Sequence, residues 1–338
     1  MTKRQRVIAA IRHEATDYTP HNVIFTGQML EKMIRHTGNP DYADTINNHI
    51  LRVPLRKPYV PAANLAEGHV DEFGVEWDQS GADKDIGVPV NYIIKNADEL
   101  AAYIPPALDE AAIRGSCEKA VATRGDRFTF GSVGFSFYER AWSLCGMENM
   151  LCYMVTDPDA VESLFDKLLE RNLEKVRIAS EYDIDGIMFG DDWGQQNGMI
   201  MGAPLWRKLI KPQIAKLYAA ARAAGKFVAQ HSCGDLREIL DDLIDIGLDV
   251  YQTFQTEIYD MNEYKRKLNG KLAIWGGIST QTQLPFKTPE EIYDITMNAI
   301  SVMGKGGGYI AAPTHDVTAD VPPENILAMV KAFNAQKR

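Results

Sequence analysis

The sequence predicts an α/β fold, a (β/α)8 TIM barrel with an elaborated N-terminal section, built as a single domain over residues 1–338. From about residue 127 onward, short apolar runs alternate with longer helical segments, a pattern typical of a parallel sheet. No glycine-rich fingerprint for a dinucleotide or a phosphate follows any of these runs, which disfavours an open nucleotide-binding sheet. Six such strand–helix units behind a proline-rich front section fit an eightfold barrel better than an open sheet.

The front section has the least regular pattern. Residues 3–14 predict a helix whose apolar face carries Val7 and Ile11. Prolines recur through residues 40–125 and interrupt any long helix. Within that stretch, residues 73–77 predict a short strand of a hairpin.

The regular part supplies the barrel elements. The predicted strands are apolar runs that end in glycine or polar residues, at 128–133, 186–189, 227–229, 248–251, 272–275 and 308–311. The predicted helices lie at 157–181, 204–224, 235–246, 289–303 and 322–335. The first of these helices begins with Asp157 as its N-cap and Pro158 in its first turn.

Composition excludes several classes of protein. The formal net charge of −10 lacks the basic footprint of a nucleic-acid binder. No apolar run is long enough to span a membrane, and the basic start of the chain has no apolar core of a secretory signal behind it. Four cysteines in 338 residues do not resemble a disulfide framework. We therefore expect a cytoplasmic protein without a membrane or nucleic-acid partner.

The residues that follow the predicted strands are the candidates for chemistry, because parallel barrels carry their sites at the carboxyl ends of their strands. His231 and Cys233 stand two residues apart after one strand, and an imidazole with a thiolate suits zinc. His315 follows the last strand and offers a third ligand. Two alternatives remain open: Cys233 as a small buried apolar residue with His231 capping a helix, and His315 as a substrate contact or a packed ring.

Polar and aromatic residues near the same strand ends are candidates for catalysis and substrate binding. Asp191 and Asp192 point in different directions after a strand, so one of them is expected at the mouth for acid–base work and the other in a turn. Tyr138 is the third catalytic candidate, because its ring carries a polar tip. The substrate-binding candidates are Gln195, Gln196, Gln255, Phe135 and Trp193. Ordinary packing of aromatic side chains between helix and barrel is the alternative for Phe135.

Three stretches resemble the uroporphyrinogen decarboxylase superfamily. They are the opening from Arg4 to Pro20, the segment Phe189-Gly190-Asp191-Asp192-Trp193-Gly194, and the end from Gly306 through His315 to Asn325. The resemblance covers nearly the whole chain, and the fold that it implies is a (β/α)8 barrel, in agreement with the spacing argument.

Within this superfamily, His231-x-Cys233-Gly234 is similar to the zinc-binding corrinoid methyltransferases, in which a His-x-Cys pair and a later cysteine hold zinc. Here His315 stands where that later cysteine is expected, and Glu257, Asp191 and Gln255 are alternative third ligands. The chain lacks the arginine-rich N-terminal segment with which the decarboxylases bind carboxylates. The Asp-x-His-x-x-Gly motif that ligates a corrinoid is also missing from the sequence.

The resemblance implies a zinc-dependent methyltransferase that moves a methyl group between a small donor or acceptor and a separate corrinoid protein. The aromatic stretch from Phe135 to Trp142 favours a methoxylated aromatic, and thus O-demethylation. One alternative is a metal-free decarboxylase, a carboxy-lyase of the uroporphyrinogen type. The other is a non-catalytic barrel that docks a corrinoid protein.

Overall fold

The computed structural model describes residues 1–80 and 87–336. Its main element is a seven-stranded sheet in which consecutive strands are neighbours and every pair is parallel. The strands are Ile50–Pro54, Phe128–Phe135, Gly186–Gly190, Phe227–His231, Val250–Phe254, Ala273–Ile278 and Tyr309–Pro313. The predicted α/β class with a parallel sheet is confirmed, and each of the six predicted strands overlaps one strand of the sheet.

The sheet curls around an apolar interior. Residues from all seven strands meet in one buried cluster, and the ring of Phe130 on the second strand stacks on Trp275 of the sixth at 5.8 Å between centroids. Side chains alternate along each strand, so one face of the sheet points into this cluster and the other packs on helices. Val7 and Ile11 of the first helix join the interior cluster, beside the amino ends of the strands.

Residues 20–22 form a short segment that is hydrogen-bonded at both edges of the curled sheet. The amide of Ala311 donates to the carbonyl of Pro20 at 2.8 Å, and the amide of Asn22 donates to the carbonyl of Ala311 at 3.0 Å. On its other side, the carbonyl of His21 accepts from the amide of His49, directly before the first strand, at 3.1 Å. The segment is therefore hydrogen-bonded to the last strand and to the entry of the first.

Helices surround the sheet. Those before the third strand are Lys3–Ile11, Gly27–Thr37, Tyr42–Thr45, Ala97–Ala102, Glu110–Thr123, Tyr138–Cys145, Met147–Thr156 and Pro158–Ser180. Those after it are Gly202–Leu205, Lys211–Ala223, Leu240–Asp245, Met261–Leu268, Pro289–Met303 and Pro323–Ala335, with a π-helix at Trp206–Ile210. No helix in the described ranges is long and apolar enough to cross a membrane.

Most predicted helices are confirmed, and two differ from the prediction. The predicted helix 204–224 is interrupted by the π-helical turn Trp206–Ile210. The predicted helix 235–246 is regular only over Leu240–Asp245, because Asp235 bonds its own neighbour Arg237 and holds the chain in turns.

The front section forms a small antiparallel sheet of Val60–Pro61, Gly68–Val70, Glu76–Asp78 and Val88–Pro89. The predicted hairpin strand is thus shifted, since Phe73 and Gly74 lie in the turn before it. Buried ion pairs connect this small sheet to the helices Tyr138–Cys145 and Pro158–Ser180: Arg140 to Asp71 at 2.5 Å, and Arg171 and Lys175 to Glu72 at 2.8 Å each. A second pair of short strands, Gly194–Gln195 and Gly198–Met199, lies in the loop after the third strand of the large sheet.

Candidate metal centre and active site

A cavity of about 240 Å³ lies at the carboxyl ends of the seven parallel strands. Strand alternation explains much of its lining, because Arg52 follows the interior residue Ile50 by two positions and His231 follows Ala229 in the same way. The lining residues are Arg52, Ser132, Gly134, Phe135, Glu139, Met188, Phe189, Gly190, Asp192, His231, His315 and Asp316. The site therefore occupies the place at which parallel barrels carry their chemistry.

His231 ends the fourth strand with its ring partly exposed to the cavity. Its Nδ1 is hydrogen-bonded to the amide oxygen of Gln252 on the next strand. Because that oxygen only accepts, Nδ1 is the protonated nitrogen of the neutral ring and the other nitrogen, Nε2, then has a lone pair. This Nε2 lies 3.9 Å from the Cys233 sulfur and 3.5 Å from Oδ1 of Asp192. An imidazole nitrogen, a thiol and a carboxylate oxygen thus converge on one point, which a cation or a shared proton can bridge.

His231, Cys233 and His315 form a potential metal-binding group. One donor atom from each lies within 4.8 Å of the other two, and the two imidazole rings meet edge to face with centroids 5.5 Å apart. Within residues 1–80 and 87–336, no other three His, Cys, Asp or Glu side chains converge in this way. Two imidazoles, a thiol and an open side toward the cavity match the donor set of a catalytic zinc site. The residues present therefore fit a zinc ion.

The thiol of Cys233 has a perturbed environment. Burial, followed by the nearby Asp192 carboxylate, raises the pKa of Cys233 well above its usual range. A bound cation acts in the opposite direction, because it favours the thiolate as its ligand. Without a cation, Cys233 stays protonated.

Gly234 shapes the loop that carries Cys233. Its φ of +84° is in the left-handed region, and an added Cβ would lie 2.1 Å from the backbone carbon of Gly194. The Gly234 amide donates to the side-chain oxygen of Gln255 at 2.6 Å, and the Cys233 amide donates to Oδ1 of Asp192 at 2.8 Å. These contacts press the two loops together and fix Cys233 beside His231.

The two adjacent aspartates have different environments, as the opposite directions of their side chains predict. Asp191 is fully buried and accepts from the backbone amides of Phe137, Tyr138 and Glu139 at 3.2, 2.9 and 2.7 Å. It thereby caps the helix Tyr138–Cys145, away from the cavity. Burial raises the pKa of Asp191 to about 6. Asp192 lines the cavity, and its side chain is 32% exposed.

Several predicted site residues do not line this cavity. Tyr138 is fully buried in the core, and Trp193 packs edge to face on Trp206 at 5.3 Å. Gln195 and Gln196 are exposed in the following loop, where Gln196 donates to Gln281 at 2.9 Å. Gln255 is a support for Gly234 through its side-chain oxygen, and Phe135 alone of the five substrate candidates lines the cavity.

The alternative third ligands are also occupied elsewhere. Glu257 is exposed and accepts from the hydroxyls of Ser279 and Thr282. Asp191 caps its helix, and Gln255 holds the Gly234 amide. Of the candidates weighed from the sequence, His315 is the one whose donor atom reaches His231 and Cys233.

Comparison with protein families identifies the chain's relatives. The model of the uroporphyrinogen decarboxylase (URO-D) family matches residues 70–336. The chain belongs to the URO-D family. The superfamily predicted from the sequence is therefore confirmed, and no curated protein sequence matches the chain significantly.

Three solved structures that resemble this URO-D chain are distant from it in sequence. A methyltransferase from Methanosarcina mazei superposes with a TM-score of 0.74 at 17% identity, and the alignment covers 99% of each chain. A mannanase from Podospora anserina reaches a TM-score of 0.45 at 11% identity, covering 99% of this chain and 64% of that chain. A xylanase from Gloeophyllum trabeum reaches 0.43 at 12% identity, covering 71% and 86%. At 17% identity, the similarity to the methyltransferase shows a shared fold alone.

Three charged cavity residues of this URO-D chain were missed by sequence reasoning: Arg52, Glu139 and Asp316. Arg52 is at an interior position of the first strand, and Asp316 directly follows His315. Burial, followed by the carboxylates of Asp192 and Asp191, raises the pKa of Glu139 well above its usual range. A charge at an alternating position between Ile50 and Pro54 is the signal that could have identified Arg52.

Proposed function

We propose that the protein is a zinc-dependent methyltransferase that moves a methyl group between a small donor or acceptor and a separate corrinoid protein. The observation that carries the proposal is the convergence of His231, Cys233 and His315, with donor atoms within 4.8 Å, beside a cavity at the carboxyl ends of the strands. The similarity to a methyltransferase of the same overall fold supports it.

The three side chains would hold zinc, and the metal would supply Lewis acidity to the heteroatom that carries or receives the methyl group. The hydrogen bond from His231 Nδ1 to Gln252 fixes the ring so that Nε2 faces the cavity. Asp192 would orient the substrate or hold a proton at its cavity-facing carboxylate, and Phe135 would wall the apolar part of the substrate. The corrinoid would arrive on a partner that docks over the cavity, since the sequence carries no corrinoid-ligating motif of its own.

Two structural expectations belong to the same proposal. Residues 20–22 would take the place of the eighth barrel strand, because their hydrogen bonds to Ala311 and to His49 join the two edges of the seven-stranded sheet. The chain would then form one closed (β/α)8 domain, with the small antiparallel sheet as an elaboration of its front section. We expect the protein to be a soluble enzyme of the cytoplasm.

The family description favours a second candidate, metal-free decarboxylation of a tetrapyrrole. The cavity argues against it. About 240 Å³ is below the usual size of sites for drug-sized ligands, and Arg52 is the one cation among its lining residues. A substrate with many carboxylates would be poorly neutralised beside Glu139, Asp192 and Asp316.

Metal analysis and a methyl-transfer assay test the proposal. The purified protein should contain about one zinc per chain, and Cys233→Ala should lose most of it, whereas the matched control Cys152→Ala, at an exposed cysteine, should not. Methyl transfer to cob(I)alamin should appear with at least one donor from a panel of methoxylated aromatics, methylamines, betaines and thiols, and a chelator should abolish it.

Other outcomes would overturn the proposal. Full zinc retention by Cys233→Ala would exclude the ligand assignment. Turnover of uroporphyrinogen in the presence of chelator would favour the decarboxylase. Tight binding of a corrinoid protein without methyl transfer from any donor would favour a docking barrel.

A further inference from the structure

We infer that Arg52 recognises a carboxylate on the substrate, so that the site takes small organic acids in preference to their neutral analogues. The inference rests on the proposed function, because it assigns the substrate class of the same cavity. It depends on three features: the direction of Arg52, its unused donors and its position relative to the metal-binding group.

Strand geometry directs Arg52 into the barrel. Its Cα partner on the second strand is Phe130, a residue of the interior cluster, and Ile50 two positions earlier belongs to the same cluster. Arg52 is therefore one layer above the apolar interior, where its side chain lines the cavity and remains 26% exposed. A guanidinium at this depth is reached by a ligand in the cavity and is only partly hydrated.

Most donors of Arg52 are not used by the protein. Its Nη2 donates to both oxygens of Asp316 at 2.9 and 2.8 Å. Within the described part of the chain, Nε and Nη1 have no acceptor at hydrogen-bond distance, which leaves three of the five N–H groups of the guanidinium. Planar guanidinium donors match a carboxylate in geometry as well as in charge.

The position of Arg52 suits an acid whose other end reaches the metal-binding group. Arg52 is on the first strand and His231 on the fourth, so that two strands separate them around the curled sheet. Between them, Phe135, Met188 and Phe189 offer apolar surface. A ligand held by its carboxylate at Arg52 would lay an apolar body along these residues and present its far end to His231. A short methoxylated aromatic acid has this shape.

The competing explanation is that Arg52 only holds Asp316, and with it the loop that follows His315. The two explanations differ in what removal of Asp316 does. If Arg52 binds substrate, Asp316→Asn removes one of the two acceptors of Nη2 together with a repelling charge, so acid binding should tighten. If the pair is only structural, the same change should not improve acid binding.

Calorimetric titration of the full-length protein with 3-methoxybenzoate and with the neutral 3-methoxybenzyl alcohol tests the inference. Each titration is run with the zinc-loaded protein and in chelator, which separates contact with Arg52 from ligation of the metal. The wild-type protein should bind the acid about 10- to 100-fold more tightly than the alcohol in both conditions. Arg52→Gln should abolish this preference and leave alcohol binding unchanged, and Arg56→Gln, whose side chain lies over Tyr59 outside the cavity, should behave as wild type.

Alcohol binding also reports folding of the variants. If Arg52→Gln does not fold, Arg52→Lys replaces it and should retain a reduced preference, since a lysine keeps the charge but loses the planar fork. Equal binding of acid and alcohol by the wild-type protein, binding of neither, or an unchanged preference in the Arg52 variants would overturn the inference.

The result is separable from the proposed function. Methyl transfer from neutral donors without acid selectivity would remove the role of Arg52 and leave the methyltransferase. Acid selectivity without any methyl transfer would keep the role of Arg52 and remove the methyltransferase.

Discussion

Replacing Asp191 by alanine should destabilise the fold, whereas replacing Asp192 should impair the site. Asp191 is fully buried and accepts three backbone amides at the start of the helix Tyr138–Cys145, two of them at 2.7 and 2.9 Å and one at 3.2 Å. Asp191→Ala leaves these buried donors without their acceptor.

The magnitude follows from those contacts. A hydrogen bond to a charged group contributes about 1.5–3 kcal/mol, and loss of a helix cap costs up to about 2 kcal/mol. The contributions are not additive, and removal of a buried carboxylate recovers part of its desolvation cost. We therefore expect Asp191→Ala to lower the free energy of unfolding by about 2–4 kcal/mol. Asp191→Asn keeps one acceptor oxygen and should lose roughly half of that.

Urea unfolding at pH 7.5, followed by circular dichroism, measures the effect. Asp192→Ala is the matched control: its side chain is partly exposed and bonds one backbone amide, that of Cys233, so its stability should stay within about 1 kcal/mol of wild type. Its methyl transfer should nevertheless fall, because Asp192 lines the cavity. A stability of Asp191→Ala within about 0.5 kcal/mol of wild type would refute the assignment of Asp191 as a helix cap.

Two further predictions concern positions outside the cavity lining. Gln252→Leu removes the acceptor that orients the ring of His231, so it should weaken zinc binding about 10- to 100-fold in a chelator competition. Gln196→Leu, on the exposed loop, is the control and should bind zinc like wild type. Equal zinc affinity of Gln252→Leu and wild type would contradict the orienting role of Gln252. Burial, followed by the charges of His21 and Arg6, lowers the pKa of His49 to about 2, so stability present above pH 6.5 should be lost as the pH falls, by up to about 1.4 kcal/mol per pH unit. In His49→Gln, the urea midpoint should fall less between pH 7 and pH 4 than it does in wild type, whereas the surface variant His36→Gln should follow wild type. The same fall in His49→Gln as in wild type would count against a buried neutral ring at His49.

Six of the seven parallel strands were predictable because each is a short apolar run that ends in glycine or polar residues. The first strand was not, since Ile50–Pro54 carries a charge and a proline in the middle of a proline-rich stretch. The contacts of residues 20–22 with both sheet edges could not be predicted either, because they are backbone hydrogen bonds and do not depend on a side-chain pattern. Periodicity therefore predicted the buried strands and missed the first strand and the hydrogen bonds of residues 20–22.

The sequence predicted the convergence of His231, Cys233 and His315 better than the lining of the rest of the cavity. The positions of His231 and His315 after their strands were enough to bring them together. Alternation also predicted that Asp191 and Asp192 diverge, but which of them faces the cavity depends on where the next helix packs. Tyr138 and Trp193 looked like site residues because aromatic polar tips are common in pockets, yet the same apolar rings fill the core when helices cover them.

The convergence of the donors depends on a backbone contact as much as on the donors themselves. His231 is placed by the pleat of its strand, but Cys233 lies beyond the strand end, where alternation no longer directs a side chain. Its place is set by Gly234, whose missing Cβ lets the loop approach Gly194 to a distance that no other residue permits. The same approach brings Asp192 to the Cys233 amide, so one close packing of two loops positions both the thiol and the carboxylate that faces it. The two donors of the His-x-Cys pair therefore converge here because a glycine follows them.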